Sequence, residues 1–341
     1  MNFSKRFRPH RIWMGIAFMV FGGTNAVQAQ CQGINLFETL KTRNPVIYEK
    51  VQKEASNMPF HEGKFFSVTK EGTAPSYIFG TMHSGDPRIT QFSPKVISAL
   101  AQANTVAFEL KEAGGLNDPK TVEQMGATII PYIMATANER VSTLFSPEEK
   151  EKIAQIIEKY GMPSATVDLF KPGFLGAVLS VPPCDAKNQE KQPPVDTLLA
   201  QKATKEGKSF VGLETLEEQL QIIASQPPEI QKAVLSSALN QQEKGEDIFV
   251  TMIELYQKGQ IGILIAWSQS EDIVSSEEDA KHMEKAMTSL IDDRNTRMFE
   301  RSLPLVENGG AFIAVGAAHL PGETGILKLY EKAGYIIEKI E

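Results

Sequence analysis

Two distant stretches of this chain read alike. Residues 76–85 are SYIFGTMHSG and residues 312–322 are FIAVGAAHLPG, each a short apolar strand followed by Gly-x-x-His and a turn. This pairing constrains the fold more than any other feature. In a parallel sheet the strand C-termini lie along one edge, and ligand crevices form outside that edge. Gly80 and Gly316 are expected to let the backbone turn sharply there, carrying His83 and His319 to a common rim.

The remaining pattern supplies the sheet that such units need. Residues 64–69 and 76–80 read as a hairpin around Glu71-Gly72-Thr73. A helical stretch at 94–104 leads into the strand TVAFEL at 105–110. Ser146-Pro147-Glu148-Glu149 is a capping box with Pro at the first helical position, and Gly161 can close the helix it opens. A helix over 195–206 leads through Gly207 into a strand at 209–213, and Thr215-Leu216-Glu217-Glu218 caps the next helix. Residues 228–306 are almost wholly helical in pattern, with a break near 259–262. A buried-type strand at 311–315, a helix at 326–333 and a strand at 335–340 complete the chain. Strands separated by helices predict an α/β fold with a mostly parallel sheet. The helical block from about 119 to 306 is expected to be insertions covering one side of that sheet. The polar stretch 185–192, bracketed by Pro182-Pro183 and Pro193-Pro194, reads as an exposed connection within a single domain over 30–341.

The 341 residues, 42% hydrophobic and 23% charged with two Cys, exclude a disordered chain or a disulfide-dense miniprotein. The net charge of −7 mixes two regions. Residues 1–29 hold Lys5, Arg6, Arg8 and Arg11 and no acid, which leaves 31 basic and 42 acidic residues, a net of −11. A chain this acidic, without a basic run, argues against nucleic acid or an anionic membrane surface as partner. The basic start, twelve apolar residues at 12–23 and small residues at Val27 and Ala29 predict a signal peptide over 1–29. Twelve apolar residues are too few to cross a bilayer, which takes roughly 20; an uncleaved anchor is the alternative. Gln30, directly before Cys31, is too large for lipoprotein processing, so a periplasmic or secreted location is expected. In an oxidising compartment Cys31 and Cys184 can pair; two unrelated thiols are the other reading.

Beyond the leader only four His remain, and two of them occupy the repeated units. Imidazole is the commonest protein metal ligand, and two imidazoles with a carboxylate can hold a divalent ion with positions left open. Glu109 ends TVAFEL and Glu214 ends SFVGLE, each among apolar residues, where a lone carboxylate costs several kcal/mol unless a cation compensates it. Taken singly, each has a plainer role: a satisfied structural His, a strand-end ion pair for Glu109, a helix N-terminus for Glu214. Four ionisable residues at four strand ends argue together for a shared site. His61 and His282 read as surface residues. Arg294 and Arg297, one turn apart, read on spacing alone as a solvated helix face.

These motifs resemble the TraB/PrgY/GumN family, which includes the Tiki-type membrane metalloproteases. The likeness rests on GTMH at 80–83, GAAH at 316–319, FEL at 108–110, GLET at 212–215, CQGINL at 31–36 and RNxxM at 294–298. It implies an α/β fold shared with erythromycin-esterase and ChaN-like proteins. It also implies a divalent-metal site (Mn, Co or Zn) with His83, Glu109 and His319 as ligands. Glu214 becomes a further ligand or the base, and Arg294 an oxyanion or substrate-carboxylate partner. Many relatives follow the first GxxH with Pro or an apolar residue, whereas Ser84-Gly85-Asp86 stands here, making Asp86 an extra ligand or a turn former. The function expected is an exported metal-dependent hydrolase acting on peptides or another small substrate. The alternative is a non-catalytic periplasmic metal- or haem-binding protein, with Met82 and Met298 as candidate axial ligands.

Overall fold

Residues 31–111, 119–208, 210–274 and 277–341 are described by the computed structural model. The leader expected over 1–29, and the first residue of the strand expected at 209, lie outside the described residues. Six strands form one sheet: β1 (Phe65–Thr69), β2 (Ser76–Thr81), β3 (Thr105–Leu110), β4 (Phe210–Glu214), β5 (Ala311–Gly316) and β6 (Ile336–Lys339). Their order is β4-β3-β5-β2-β1-β6. The four strands β2, β5, β3 and β4 run parallel, and β1 is antiparallel to both its neighbours. The α/β expectation therefore holds, with the β1–β2 hairpin turning at Gly72, whose φ of 81° suits glycine.

Period-2 alternation explains the two faces. Phe79, Phe108 and Phe312 point into one hydrophobic cluster, and Ile78, Ala107 and Ile313 into the other. Leu199 and Ala200 from the helix Val195–Lys205, with Val250 and Ile253 from the helix Gly245–Gln257, cover the first face. Met298 and Val306 from the helix Asp293–Glu307 cover the second, with Leu327 and Tyr330 from the helix Ile326–Lys332. The stretch 119–306 thus contributes helices to both faces and contains β4 itself. A separate helical cluster, with Ile153, Phe170, Leu175 and Leu235 at its centre, packs outside the sheet.

The capping boxes at Ser146 and Thr215 are formed as read, and Gly161 follows its helix at φ 76°. One segment differs from expectation. Residues 185–192 are not an exposed loop: the helix Pro183–Lys191 runs through them, with Pro at its start and Asp185 and Asn188 buried. Its polar composition hid it, because the side chains that turn inward are not apolar: Asp185 is hydrogen-bonded to Ser84 and Gln189, and Asn188 is buried beside it. Cys31 and Cys184 are joined in a disulfide, with Cα atoms 5.2 Å apart.

Candidate active site

The parallel register brings the expected residues to one edge. In spatial order across β2, β5, β3 and β4, that edge carries His83, His319, Glu109 and Glu214. Adjacent strands lie roughly 4.8 Å apart, so the row spans roughly 14 Å and only near neighbours can touch.

Glu109 and Glu214 are buried, and their compensating cation is an arginine. Arg294, at the start of the helix Asp293–Glu307, donates from Nε to Glu214 Oε2 and from Nη2 to Glu109 Oε2, each at 2.8 Å. Its Nη1 donates to the Leu290 carbonyl at 3.1 Å. Arg297 Nη1 donates to the other Glu214 oxygen at 3.1 Å, and Gln219 Nε2 reaches Glu214 Oε2 at 3.2 Å. The solvated helix face read from spacing is therefore a bridge between two strand-end carboxylates, with the Arg294 side chain only 11% exposed. Arg301 continues the row with paired bonds to Glu218 and one to the Leu213 carbonyl.

Glu109 has a second set of partners. Its Oε1 accepts from the Gly316 N–H at 2.5 Å and stands 3.6 Å from Nε2 of His319. Burial resists the charge on Glu109, but His319, His83, Arg294 and the Gly316 N–H outweigh it and bring the carboxyl to about 2. Gly316 and Gly80 do not act by turning sharply. Gly316 has φ −52° and ψ 136°, open to any residue. What they supply is room: a Cβ on Gly316 would stand 3.1 Å from Glu109 Oε1, and one on Gly80 would stand 2.6 Å from Leu320 Cδ1.

The two histidines sit in different surroundings. His319 is buried; its Nδ1 lies 2.7 Å from Asn295 Oδ1, and Asn295 Nδ2 donates to the Thr324 carbonyl at 3.0 Å. That second bond fixes the amide, so Nδ1 of His319 carries the proton. Nε2 then presents a lone pair toward Glu109 Oε1. Burial pushes His319 down to about 4, against the attraction of Glu109. His83 is 66% exposed at the side chain, and its Nδ1–H donates to Asp196 Oδ2 at 2.7 Å. Thr81 donates its hydroxyl to the other Asp196 oxygen. The Asp196 carboxylate beside it raises His83 to about 9.

In donor chemistry a divalent cation fits the His319–Glu109 pair: the His319 ring holds Nδ1 on the Asn295 oxygen and turns Nε2 toward Glu109, as metal-binding imidazoles do. The trio expected from sequence does not stand together. Among the described residues no three His, Cys, Asp or Glu side chains are close enough to share an ion. Glu214 serves two arginines, and Asp86 is a turn former, buried and gripped by Arg88 through Nε and Nη2 at 2.9 and 2.8 Å. Met298 is fully buried in the second face's core and Met82 packs against the first, so neither offers an axial ligand. A cleft of about 760 Å³ lies elsewhere, between the helices Pro147–Glu158, Pro228–Asn240 and Gly245–Gln257, and is lined by none of these strand-end groups.

The profile of the TraB/PrgY/gumN family matches residues 65–339, from the first strand to the last. The chain belongs to the TraB/PrgY/gumN family. Comparison with curated proteins gives no match. The family match contains both GxxH units, both glutamates and Arg294, and begins after the N-terminal helices Leu36–Arg43 and Pro45–Ser56. Asp196, Thr81 and Gln219 escaped the reading of the sequence. Asn295 was visible only as the N of RNxxM, with nothing to say that it holds a histidine.

Proposed function

We propose that this member of the family is an exported hydrolase, acting on peptide bonds at the carboxyl edge of its sheet. The observation that carries this reading is the His319–Glu109 pair. Asn295 sets the tautomer so that an imidazole lone pair faces a carboxylate oxygen at 3.6 Å. Two acceptors facing each other in a buried place call for a cation between them. His319 Nε2 and Glu109 Oε1 would hold a divalent ion; such an ion, when bound, would acidify a water and polarise a carbonyl.

The chain's own groups divide the remaining tasks. Arg294 is buried and spends three of its five N–H groups on Glu109, Glu214 and the Leu290 carbonyl, so it fixes the two carboxylates. Arg297, 30% exposed and with one N–H group on Glu214, is the guanidinium left to meet substrate charge. His83 is exposed and carries a proton near neutral pH, which it can give to a leaving amine. The disulfide and the expected leader support an oxidising, extracytoplasmic setting. No helix among the described residues is long and apolar enough to cross a membrane.

The test is a peptide library incubated with residues 30–341 in the presence of Mn²⁺, Co²⁺ or Zn²⁺. Cleavage by the wild type, reduced by about 100-fold or more in His319→Ala, is expected for a residue at the reacting centre. No cleavage, or equal cleavage by the variant, overturns the proposal.

A further inference from the structure

His83 projects into solvent, where an imidazole has full rotamer freedom unless its backbone and ring are held. Almost everything that holds it from outside its own turn comes from one short stretch of chain. Asp185 Oδ1 accepts the Ser84 hydroxyl at 2.7 Å, and the same hydroxyl accepts from the Asp86 N–H at 3.0 Å. Gln189 Nε2 bonds Asp185 Oδ2 at 2.8 Å and reaches the His83 carbonyl at 3.4 Å. The turn lies directly on the end of this helix: a Cβ on Gly85 would stand 2.2 Å from the Gln192 carbonyl oxygen. Asp196, a few residues on, holds the ring itself.

The helix that provides these contacts meets the first-face hydrophobic cluster through the half-buried Cys184. The residues it buries are Asp185 and Asn188, both polar. Its anchor is covalent: Cys184 is bonded to Cys31. The segment beyond Cys31 is stitched to the helix Gly245–Gln257 by backbone N–H bonds from Gln32 to Glu246, Ile34 to Asp247 and Leu36 to Thr251. That helix packs on the sheet, and its Tyr256 hydroxyl donates to the Gly80 carbonyl at 2.7 Å. One rigid helix therefore grips the turn at Gly80 directly and at Ser84 through the disulfide.

We propose that the helix Pro183–Lys191, pinned by the Cys31–Cys184 disulfide, is a splint for the His83 turn, with Asp185, Gln189 and Asp196 as positioning residues. The proposal rests on the reading of His83 as a site residue. Its test reads the ring itself and needs no substrate, so a chain that cleaves no peptide can still pass it.

The measurement is imidazole ¹H–¹⁵N NMR on histidine-labelled protein. In the wild type the His83 Nδ1–H is expected to be protected from water exchange by Asp196. In Ser84→Ala, and in the double variant Cys31→Ser with Cys184→Ser, that proton exchanges about tenfold faster or more, as local opening does. The His319 ring signals stay in place, and Ser84→Thr restores protection by returning the hydroxyl. If Ser84→Ala or the double variant leaves His83 exchange unchanged, the splint is wrong. If the His83 and His319 signals shift together, the whole edge has loosened, and that result overturns it too.

Discussion

Arg294 decides how the strand ends can coexist. Without it Glu109 and Glu214 would be two buried anions on neighbouring strands, since β3 and β4 pair directly. Removing one partner of a buried ion pair typically costs 3–5 kcal/mol, because the other charge is left without compensation. Arg294→Met is therefore expected to lower unfolding stability by about 3–5 kcal/mol in urea titrations. A loss below about 1 kcal/mol, the range of a surface pair, would mean that Arg297 and Gln219 suffice. Asn295 acts at the same scale by a different route, holding no charge but choosing which nitrogen of His319 bears the proton. Asn295→Ala frees the ring, and cleavage is expected to fall about 10–100-fold, the usual cost of losing the group behind a ligating histidine. Unchanged cleavage at intact fold would remove Asn295 from the site.

At the scale of elements, caps and ion pairs tie the helical part of the chain together. The turn Ala137–Glu139 is capped from Thr136, whose N–H and hydroxyl both donate to Glu139 Oε2, while Lys171 Nζ donates to Oε1 at 2.7 Å. Burial resists the charge on Glu139, but these partners outweigh it and bring its carboxyl to about 2 from an ordinary 4.5. A lowered folded value means stability that is fully present above pH 4.5 and lost as pH falls toward 2. Glu139→Gln is thus expected to cost about 1–3 kcal/mol at pH 7, with the gap closing progressively below pH 4.5. Urea midpoints at pH 7, 4 and 3 check this; a gap independent of pH would contradict it. The same scale shows what could be read from sequence. The strands, the capping boxes and the strand-end positions of His83, His319, Glu109 and Glu214 were legible because each leaves a local pattern of apolar runs and turn formers. Asp196, Asp185 and Gln189 were not, because they sit on short helices whose polar residues look the same facing water or facing a turn. Arg294 was misread for that reason: its spacing suits a solvated helix, and only the sheet topology shows two carboxylates beneath it.

For the whole molecule, strand order is what makes a site from separate segments. β5 lies between β2 and β3, so positions 83, 109 and 319 line one edge that no single stretch of sequence contains, and Glu109 meets His319 there. The disulfide spans a sequence separation of 153 residues. Closing so long a loop restricts the unfolded chain, and removing both cysteines is expected to cost about 4–5 kcal/mol in the chain-entropy picture. Equal urea midpoints for the wild type and the double serine variant would contradict that. The fold thus sets a neutral buried imidazole against a carboxylate oxygen at the centre of the edge, flanked by arginines on one side and an exposed, splinted histidine on the other. Metal content tests the need for a cation there most directly. The wild type, purified without chelator and equilibrated with Mn²⁺, Co²⁺ or Zn²⁺, is predicted to retain about one ion per chain after desalting. His319→Ala, folded to the same extent, is predicted to retain none, and a wild type that retains no ion would contradict the site.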